Sequence, residues 1–133
     1  MAVFHLQIVT PDRMVYDGDA ERVILRTANG DVCILARHID YAAPLGIGEA
    51  RVTDAQGQTR SAACSGGLLS VSNGEVRVIA TTFEWADEID AARAAAAQQA
   101  AEEKLRTMQR DDVDYAVAEA KLKRALIRQQ VKG

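Results

Sequence analysis

The chain has 133 residues, two of them cysteines; 48% of its residues are apolar, only 5% are aromatic, and the formal net charge at pH 7 is −3. This length fits one ordinary domain, or one small domain with an appendage. Because the charge is slightly negative and no apolar run reaches about 20 residues, we expect neither a nucleic acid partner nor a membrane-spanning segment. The N-terminus also lacks the basic and then apolar pattern of a secretory signal.

Several short strands are expected in the first part of the chain. Residues 3–9 (VFHLQIV) alternate apolar and polar side chains until Pro11 interrupts the pattern. Two Asn-Gly pairs further along are typical of hairpin turns. The other candidate strands are residues 22–26, 33–35, 49–53, 67–72 and 75–80. Short strands separated by turns at this spacing indicate a β-sandwich or a barrel.

The composition of the chain changes near residue 85. Of the nine glycines only the terminal Gly133 lies after this point, and both prolines lie before it. Strong helix formers, above all alanine, predominate in the remaining residues. We therefore predict two modules, a β-sandwich over residues 1–84 and a helical hairpin over residues 85–133.

Two antiparallel helices are expected in the second module. From Asp87 to about Met108 there is neither glycine nor proline, and acidic side chains crowd the first turns, where the helix dipole favours them. Asp111 or Asp112 can cap a second helix that runs to about Gln130. Because the connection between the two helices is short, they should run antiparallel.

The apolar surface expected to be buried between the two helices is small. Val113 and Val117 share one stripe of the second helix, Leu122 and Leu126 lie on the next, and these side chains would pack mainly against alanines. Each such contact removes little apolar surface from water, so the hairpin should be marginally stable by itself. A weakly held element of this kind is a candidate for a conformational switch.

Opposite charges should meet at the open end of the hairpin. The antiparallel arrangement brings Glu84, Asp90 and Arg93 near Arg124 and Arg128 at the end of the second helix. Asp90 and Arg93 are three residues apart and share a face of their helix. They can form a small surface ion pair, or they can be two contacts of a binding site.

Catalytic and metal-binding motifs are absent from the sequence. There is no phosphate loop of the G-x-x-x-x-G-K-S/T type, and Ser65-Gly66-Gly67 is not a nucleophile elbow. Cys33 and Cys64 have no zinc-type spacing, and we expect them to be free thiols. We therefore predict no catalytic residue, no metal site and no enzymatic activity of the isolated chain.

Several short segments follow one another in a characteristic order. They are residues 8–12 (IVTPD), 30–39 (GDVCILARHI), 43–45 (APL), 65–68 (SGGL), Val71, 111–114 (DDVD) and 122–125 (LKRA). In this order and spacing they resemble the epsilon subunit of bacterial F-type ATP synthases, and the match runs over nearly all of the chain. The resemblance implies a β + α fold, in which a ten-stranded β-sandwich is followed by a C-terminal antiparallel two-helix hairpin.

The same resemblance implies a non-catalytic role in the rotating central stalk of a proton-driven ATP synthase. The sandwich would bind the gamma subunit and touch the c-ring, and the mobile helices would inhibit ATP hydrolysis when they extend into the alpha/beta hexamer. The chain would be peripheral at the cytoplasmic face of the cell membrane, associated with the membrane only through the complex. The residues implied for the contact with the c-ring or gamma are Asp31 and His38.

Residues 89–94 (IDAARA) match the I/L-D-x-x-R-A motif with which some bacterial epsilon subunits bind ATP. Asp90 can accept hydrogen bonds from adenine or ribose, the small Ala94 leaves room for a ring, and Arg93 can bind phosphate through forked hydrogen bonds. ATP is thus implied as a regulatory ligand, while no cofactor is required. The implied nucleotide-binding residues are Glu84, Ile89, Asp90, Arg93, Ala94, Arg124 and Arg128. The alternative is an adaptor sandwich whose helices do not bind nucleotide.

Three residues depart from the family pattern in the loop that would carry the c-ring contact. Cys33 and Arg37 stand where the family usually has glycine, and Ala36 stands where it often has proline. If those glycines serve turns with positive φ, we expect this loop to rearrange.

Overall fold

A computed structural model describes residues 2–133. These residues form seven strands, one short 3-10 turn and two α-helices. The strands are β1 (Phe4–Val9), β2 (Met14–Thr27), β3 (Gly30–Leu35), β4 (Tyr41–Pro44), β5 (Ile47–Asp54), β6 (Thr59–Ser72) and β7 (Glu75–Trp85). The 3-10 turn spans Ala86–Glu88, and the helices are α1 (Ala91–Thr107) and α2 (Val113–Lys132).

The strands form a sandwich that closes on itself. Neighbours follow the order β1-β7-β6-β5-β2, and β1 pairs both with β7 in parallel and with β2 in antiparallel orientation. β3 pairs with the far end of β2, and β4 pairs with β6. Alternate side chains point inward and form one core, in which Leu6, Ile8, Leu25 and Val78 are fully buried. Closure pairs most strand edges and leaves few for unwanted association.

Seven strands are found among residues 2–133, where the resemblance implied ten. β2 and β6 are each 14 residues long and change neighbours along their length. The register of β2 shifts after Ala20, and Gly66 and Gly67 of β6 both have positive φ. A Cβ added at Gly67 would collide with the carbonyl oxygen of Ile79, so β6 and β7 approach closely only because glycine is there. If each of these two long strands were divided where it changes neighbours, it would be counted as more than one strand.

Both helices begin at an aspartate cap, but α1 begins at Ala91 rather than near Asp87. The 3-10 turn comes first, and Ile89 then takes an extended backbone and is only 3% exposed. Asp90 caps α1 by accepting a hydrogen bond from the backbone N–H of Arg93 at 3.1 Å. The buried, extended Ile89 thus separates the 3-10 turn from α1, which begins at Ala91 after the Asp90 cap.

Alanines fill the contact between the two helices. The buried residues of α1 and α2 are Ala94, Ala101, Ala118 and Ala125. The expected valine stripe is wrong, because Val113 is 85% exposed and Val117 is 53% exposed. Small side chains one heptad apart on each helix allow the backbones to approach closely, which larger side chains would prevent. The contact is as poor in apolar surface as the sequence suggested.

The helices are antiparallel, and α2 is the one that packs on the sandwich. Gln129 near the end of α2 donates a hydrogen bond to Gln98 in the first half of α1 at 2.5 Å. α2 lies against β5 and β6, whereas α1 packs mainly on α2. None of the described helices is both long and apolar enough to cross a membrane.

Trp85 ends β7 and belongs to the core of the sandwich. It is 4% exposed, and its ring meets the ring of Phe83 edge-on at a centroid distance of 5.1 Å. The guanidinium of Arg60 lies 3.8 Å above the Trp85 ring. The boundary predicted between residues 84 and 85 stays a prediction, but it would separate this tryptophan from the core in which it packs.

Candidate functional site

A cavity of about 600 Å³ lies between the sandwich and the helical hairpin. Its walls come from the turn between β1 and β2, from the last residues of β7, and from both helices. Five of the seven predicted nucleotide-binding residues line it, namely Glu84, Asp90, Arg93, Ala94 and Arg128. The volume falls within the range of small-molecule sites, and both signs of charge are present in the walls.

The carboxylate of Asp90 is fixed at the rim of this cavity by its capping role. One of its oxygens accepts the backbone N–H of Arg93, and the other makes no hydrogen bond with residues 2–133. The second oxygen is thus available to a ligand that enters the cavity, while the first holds the carboxylate in place.

The guanidinium of Arg93 is exposed, and it forms no ion pair within the described part of the chain. The small surface ion pair between Asp90 and Arg93, which the sequence left open, is therefore not formed. The two residues interact through the backbone of Arg93 instead. Its five side-chain N–H donors stay free for an anion.

Arg128 joins the end of α2 to the sandwich. Its Nε donates to Oε1 of Glu84 on β7 at 2.6 Å, and the side chains are 28% and 34% exposed. This confirms the expected meeting of the basic end of the second helix with Glu84. Only one of the N–H donors of Arg128 is used by this bond.

A second ion pair, between Arg13 and Glu88, lies in the wall of the cavity and was not predicted from the sequence. Arg13, in the turn between β1 and β2, donates through Nη2 to Oε1 of Glu88 at 2.9 Å. The same oxygen accepts the backbone N–H of Trp85 at 3.0 Å. The Arg13 hydrogen bond is the main cause that holds the pKa of Glu88 below its ordinary value, and the same bond raises the pKa of Arg13. A sequence pattern has no means of finding a pair whose members are 75 residues apart.

Two of the predicted nucleotide-binding residues lie outside the cavity. Ile89 is buried beneath the start of α1, where it supports the fold rather than facing a ligand. Arg124 lines a narrow neighbouring cleft together with Ile127, and that cleft shares Glu84 and Arg128 with the cavity. Arg124 is therefore adjacent to the site without forming its wall.

The residues predicted for partner contact lie in and after β3. Asp31 accepts a hydrogen bond from Nε of Arg26 at 2.6 Å. The Nδ1 of His38 lies 2.7 Å from the carbonyl oxygen of Ile39, the acceptor expected for an N–H at that position. Ile39 is 78% exposed, so an apolar side chain stands in solvent at the tip of this loop. The contact itself stays a prediction.

The loop before His38 keeps a turn of the kind that favours glycine. Arg37 has a φ of 64°, in the left-handed region, although it is not glycine. The backbone at this position thus takes a left-handed turn with a residue that has a Cβ, which is less favourable there than glycine. Cys33 lies within β3 and is exposed, whereas burial raises the pKa of the Cys64 thiol to about 12. Both thiols are free.

No group of three or more histidine, cysteine, aspartate or glutamate side chains within residues 2–133 is suited to hold a metal ion. The charged groups of the cavity are arginines and carboxylates, most of which already form pairs or caps. The three arginines of the lining can donate to an anion through their guanidinium groups, while four carboxylates line the same walls.

Two family models together cover nearly all of the chain. Residues 3–86 match "ATP synthase, Delta/Epsilon chain, beta-sandwich domain", and residues 87–133 match "ATP synthase, Delta/Epsilon chain, long alpha-helix domain". The chain belongs to this ATP synthase family. The resemblance drawn from the short sequence segments is thereby confirmed, and the chain is a non-catalytic subunit of the epsilon type.

Individual relatives agree with the family assignment. The chain is 44% identical to the ATP synthase epsilon chain of Bacillus velezensis over 133 residues, which cover 100% of this chain and 99% of that protein. It is 41% identical to the ATP synthase epsilon chain of Caldanaerobacter subterraneus subsp. tengcongensis over 128 residues, or 96% of this chain and 92% of that protein.

Solved structures support the fold. A chain in the cryo-EM structure of the Euglena gracilis mitochondrial ATP synthase superposes with a TM-score of 0.81 at 23% identity, covering 92% of this chain and 77% of that chain. A chain in the cryo-EM structure of the central stalk and c-ring of the Tetrahymena thermophila mitochondrial ATP synthase gives a TM-score of 0.65 at 14% identity, covering 97% and 96%. At these identities the likeness concerns the fold.

Proposed function

We propose that this chain is a central-stalk subunit of a proton-translocating F-type ATP synthase, and that its helical hairpin is a switch controlled by ATP. In the docked form, with α2 packed on the sandwich, the hairpin leaves catalysis free. When the helices leave the sandwich and extend along gamma into the alpha/beta hexamer, they inhibit ATP hydrolysis. The family assignment supports the stalk role, and the cavity supports the control by ATP.

The ATP proposal rests on one observation: the sandwich and both helices each supply residues to the walls of the cavity. Glu84 comes from the sandwich, Asp90 and Arg93 come from the start of α1, and Arg128 comes from the end of α2. A ligand that contacts all three elements can bind only when the hairpin is docked. By linkage, such a ligand stabilises the docked state by as much as it prefers that state to the extended one.

Each lining residue has a role that follows from its chemistry. The free oxygen of Asp90 accepts a hydrogen bond from the adenine amino group or from a ribose hydroxyl, beside the space left by Ala94. Arg93 and Arg128 bind the phosphates through charge-assisted hydrogen bonds. Glu84 orients Arg128 through their 2.6 Å contact, and Ile89 anchors the start of α1 from below. Arg124, in the neighbouring cleft, adds positive charge close to the cavity.

The sandwich provides the permanent attachment to the rotor. We assign the contact with gamma and the c-ring to the sandwich, through Asp31 in β3 and His38 in the loop that follows it. Leu35 at the end of β3 and Ile39 in this loop are 54% and 78% exposed. Apolar side chains exposed in this way are suited to a protein contact. The chain would then reach the cytoplasmic face of the cell membrane as a peripheral component of the complex, with no contact of its own to lipid.

The competing proposal is an adaptor whose helices do not bind nucleotide. One observation favours it: Arg13 and Arg128 already have carboxylate partners in the cavity, so part of its positive charge is neutralised without a ligand. The unpaired guanidinium of Arg93 and the free oxygen of Asp90 favour the nucleotide site instead.

Calorimetric titration of the full chain with ATP separates the two proposals. We expect saturable binding by the parent and a loss of at least about tenfold in affinity for Arg93→Ala, because a charge-assisted phosphate contact is removed. Arg110→Ala is the control, since Arg110 is exposed between the helices and does not line the cavity. No binding by the parent, or equal affinity in the two arginine variants, would leave the adaptor as the function.

A further inference from the structure

We infer that Arg13 is a third phosphate-binding arginine of the cavity, supplied by the sandwich rather than by the helices. The inference rests on the proposed nucleotide function and adds a contact that the family motif in residues 89–94 does not include. It follows from the position of Arg13 in the wall of the cavity and from the unused donors of its guanidinium.

The turn between β1 and β2 brings Arg13 to the site. Arg13 lies directly before β2, and both it and the neighbouring Asp12 line the cavity opposite the helices. Asp12 accepts a hydrogen bond from the Thr10 hydroxyl at 2.6 Å, and the backbone N–H of Thr10 donates to the carbonyl oxygen of Arg13 at 3.0 Å. These bonds define the turn, so the Arg13 side chain starts from a fixed position at the cavity wall.

The ion pair with Glu88 orients the guanidinium of Arg13 and leaves most of its N–H donors unused. A guanidinium has five N–H donors, and the contact to Oε1 of Glu88 uses one, on Nη2. Glu88 is itself held, because the same oxygen accepts the backbone N–H of Trp85. Arg13 can therefore bind a phosphate through its remaining donors while Glu88 keeps its position.

Charge in the cavity explains why a further arginine matters. The helices contribute Arg93 and Arg128, and the turns of α1 beyond Ala97 carry the neutral residues Gln98 and Gln99. Four carboxylates also line the cavity, namely those of Asp12, Glu84, Glu88 and Asp90. Without Arg13 the lining would have two cations against four carboxylates, so a third cation lowers the electrostatic cost of bringing a triphosphate into these walls.

A phosphate contact from Arg13 has a consequence for the switch. Arg13 and Glu84 belong to the sandwich, whereas Arg93 and Arg128 belong to the hairpin. A phosphate held by arginines of both modules is a direct bridge between them, which is lost when the hairpin extends.

The test uses the full chain, with ATP and adenosine as two separate ligands. Arg13→Gln should weaken ATP binding about tenfold, as expected for the loss of one charge-assisted bond, and should leave adenosine binding within about twofold of the parent. Arg77→Gln is the matched control, because it removes an exposed arginine of the same sandwich that does not line the cavity. It should leave both affinities unchanged.

Glu88→Gln distinguishes a phosphate contact from a purely structural role of the Arg13–Glu88 pair. The glutamine oxygen can still accept the Trp85 N–H, while the ion pair is lost and the cavity becomes less negative. If Arg13 binds phosphate, this variant should bind ATP at least as tightly as the parent. A loss equal to that of Arg13→Gln, or unchanged ATP binding by Arg13→Gln in a parent that binds ATP, would overturn the inference alone. Absence of ATP binding by the parent would overturn the proposed function itself.

Discussion

The Nε of Arg128 lies 2.6 Å from Oε1 of Glu84, and this contact links the end of the last helix to the last strand of the sandwich. The residues are 44 positions apart, and both side chains are about one-third exposed. The pair therefore acts across the boundary between the two modules. In the proposed switch this contact would belong to the docked state and would be lost when the helices extend.

The first prediction concerns the energy of this pair. A double-mutant cycle with Glu84→Gln and Arg128→Gln should give a coupling energy of about 0.5–1 kcal/mol, near the upper end for partly exposed ion pairs. The reason is the short, charge-assisted contact, weakened by solvent. Urea unfolding followed by circular dichroism of the helices measures it. Strictly additive effects of the two substitutions would mean that the pair contributes nothing to docking.

The second prediction concerns the alanine contact between the helices. Ala125 is fully buried, so Ala125→Leu should force α1 and α2 apart and destabilise the hairpin by about 1–3 kcal/mol. Ala116→Leu, at an exposed position of the same helix, is the control and should change stability by less than about 0.5 kcal/mol. Helical circular dichroism gives the stability, and Trp85 fluorescence reports whether the sandwich remains folded. If Ala125→Leu were as stable as the control variant, the helices would not be in close contact.

The sequence predicted the sandwich and the hairpin, but it did not predict which side chains hold them together. Alternation located β1 and β7, because buried apolar residues alternate there with outward residues that are mostly polar or charged, although Ile79 is an exception. It missed β4, a four-residue strand ending at Pro44, and it gave the valines of α2 a burial that belongs to alanines. Helical periodicity and hydrophobicity assign the buried positions to large apolar residues, whereas a close contact between two helices requires small residues.

The candidate site was likewise predicted in part. Five of the residues indicated by the motif around Asp90 and Arg93 and by the charge at the end of α2 line one cavity, and their binding of nucleotide stays a prediction. The ion pair of Arg13 and Glu88 was missed. It forms because the turn between β1 and β2 comes close to the 3-10 turn after β7, and no local sequence pattern predicts that proximity. Long-range contacts of this kind follow from the fold and not from spacing.

The third prediction concerns the pH dependence of the Arg13–Glu88 pair. The pKa of Glu88 lies below its ordinary value of 4.5 in the folded chain, chiefly because of the hydrogen bond from Arg13. Its carboxylate therefore contributes stability above the unfolded pKa, and this contribution is lost as the pH falls through the lowered folded pKa. Since the pair is well exposed, the effect should be below about 1 kcal/mol.

Unfolding free energies of the parent and Glu88→Gln between pH 7 and pH 3 measure that loss. The difference between the two chains should shrink toward the acid end, and Arg13→Gln should reproduce the profile of Glu88→Gln. A difference that stays constant with pH would show that the fold does not stabilise the charged form of Glu88, and would contradict this contribution of the pair.

The fourth prediction concerns the boundary between the modules. A chain of residues 1–86 should fold alone and bind gamma, and a complex containing it should lack inhibition by the helices. A chain of residues 1–84 should be less stable by about 3–5 kcal/mol, because it loses the buried Trp85. Thermal unfolding of the two truncated chains makes the comparison. Equal stability would place Trp85 outside the core, and full inhibition by either truncated chain would refute the assignment of inhibition to the helices.

The central claim is that ATP holds the hairpin on the sandwich, and amide hydrogen exchange of the full chain tests it most directly. At a ligand concentration 100 times its dissociation constant, the docked state gains about 2.7 kcal/mol. Amides of α1 and α2 that exchange through undocking should therefore slow by about 100-fold when ATP is added, while amides of the sandwich core should change little. For a tenfold loss of affinity, the Arg93→Ala chain should show a slowing of only about tenfold under the same conditions, and less if the loss is larger. Unchanged exchange in the helices of the parent at saturating ATP would contradict the claim.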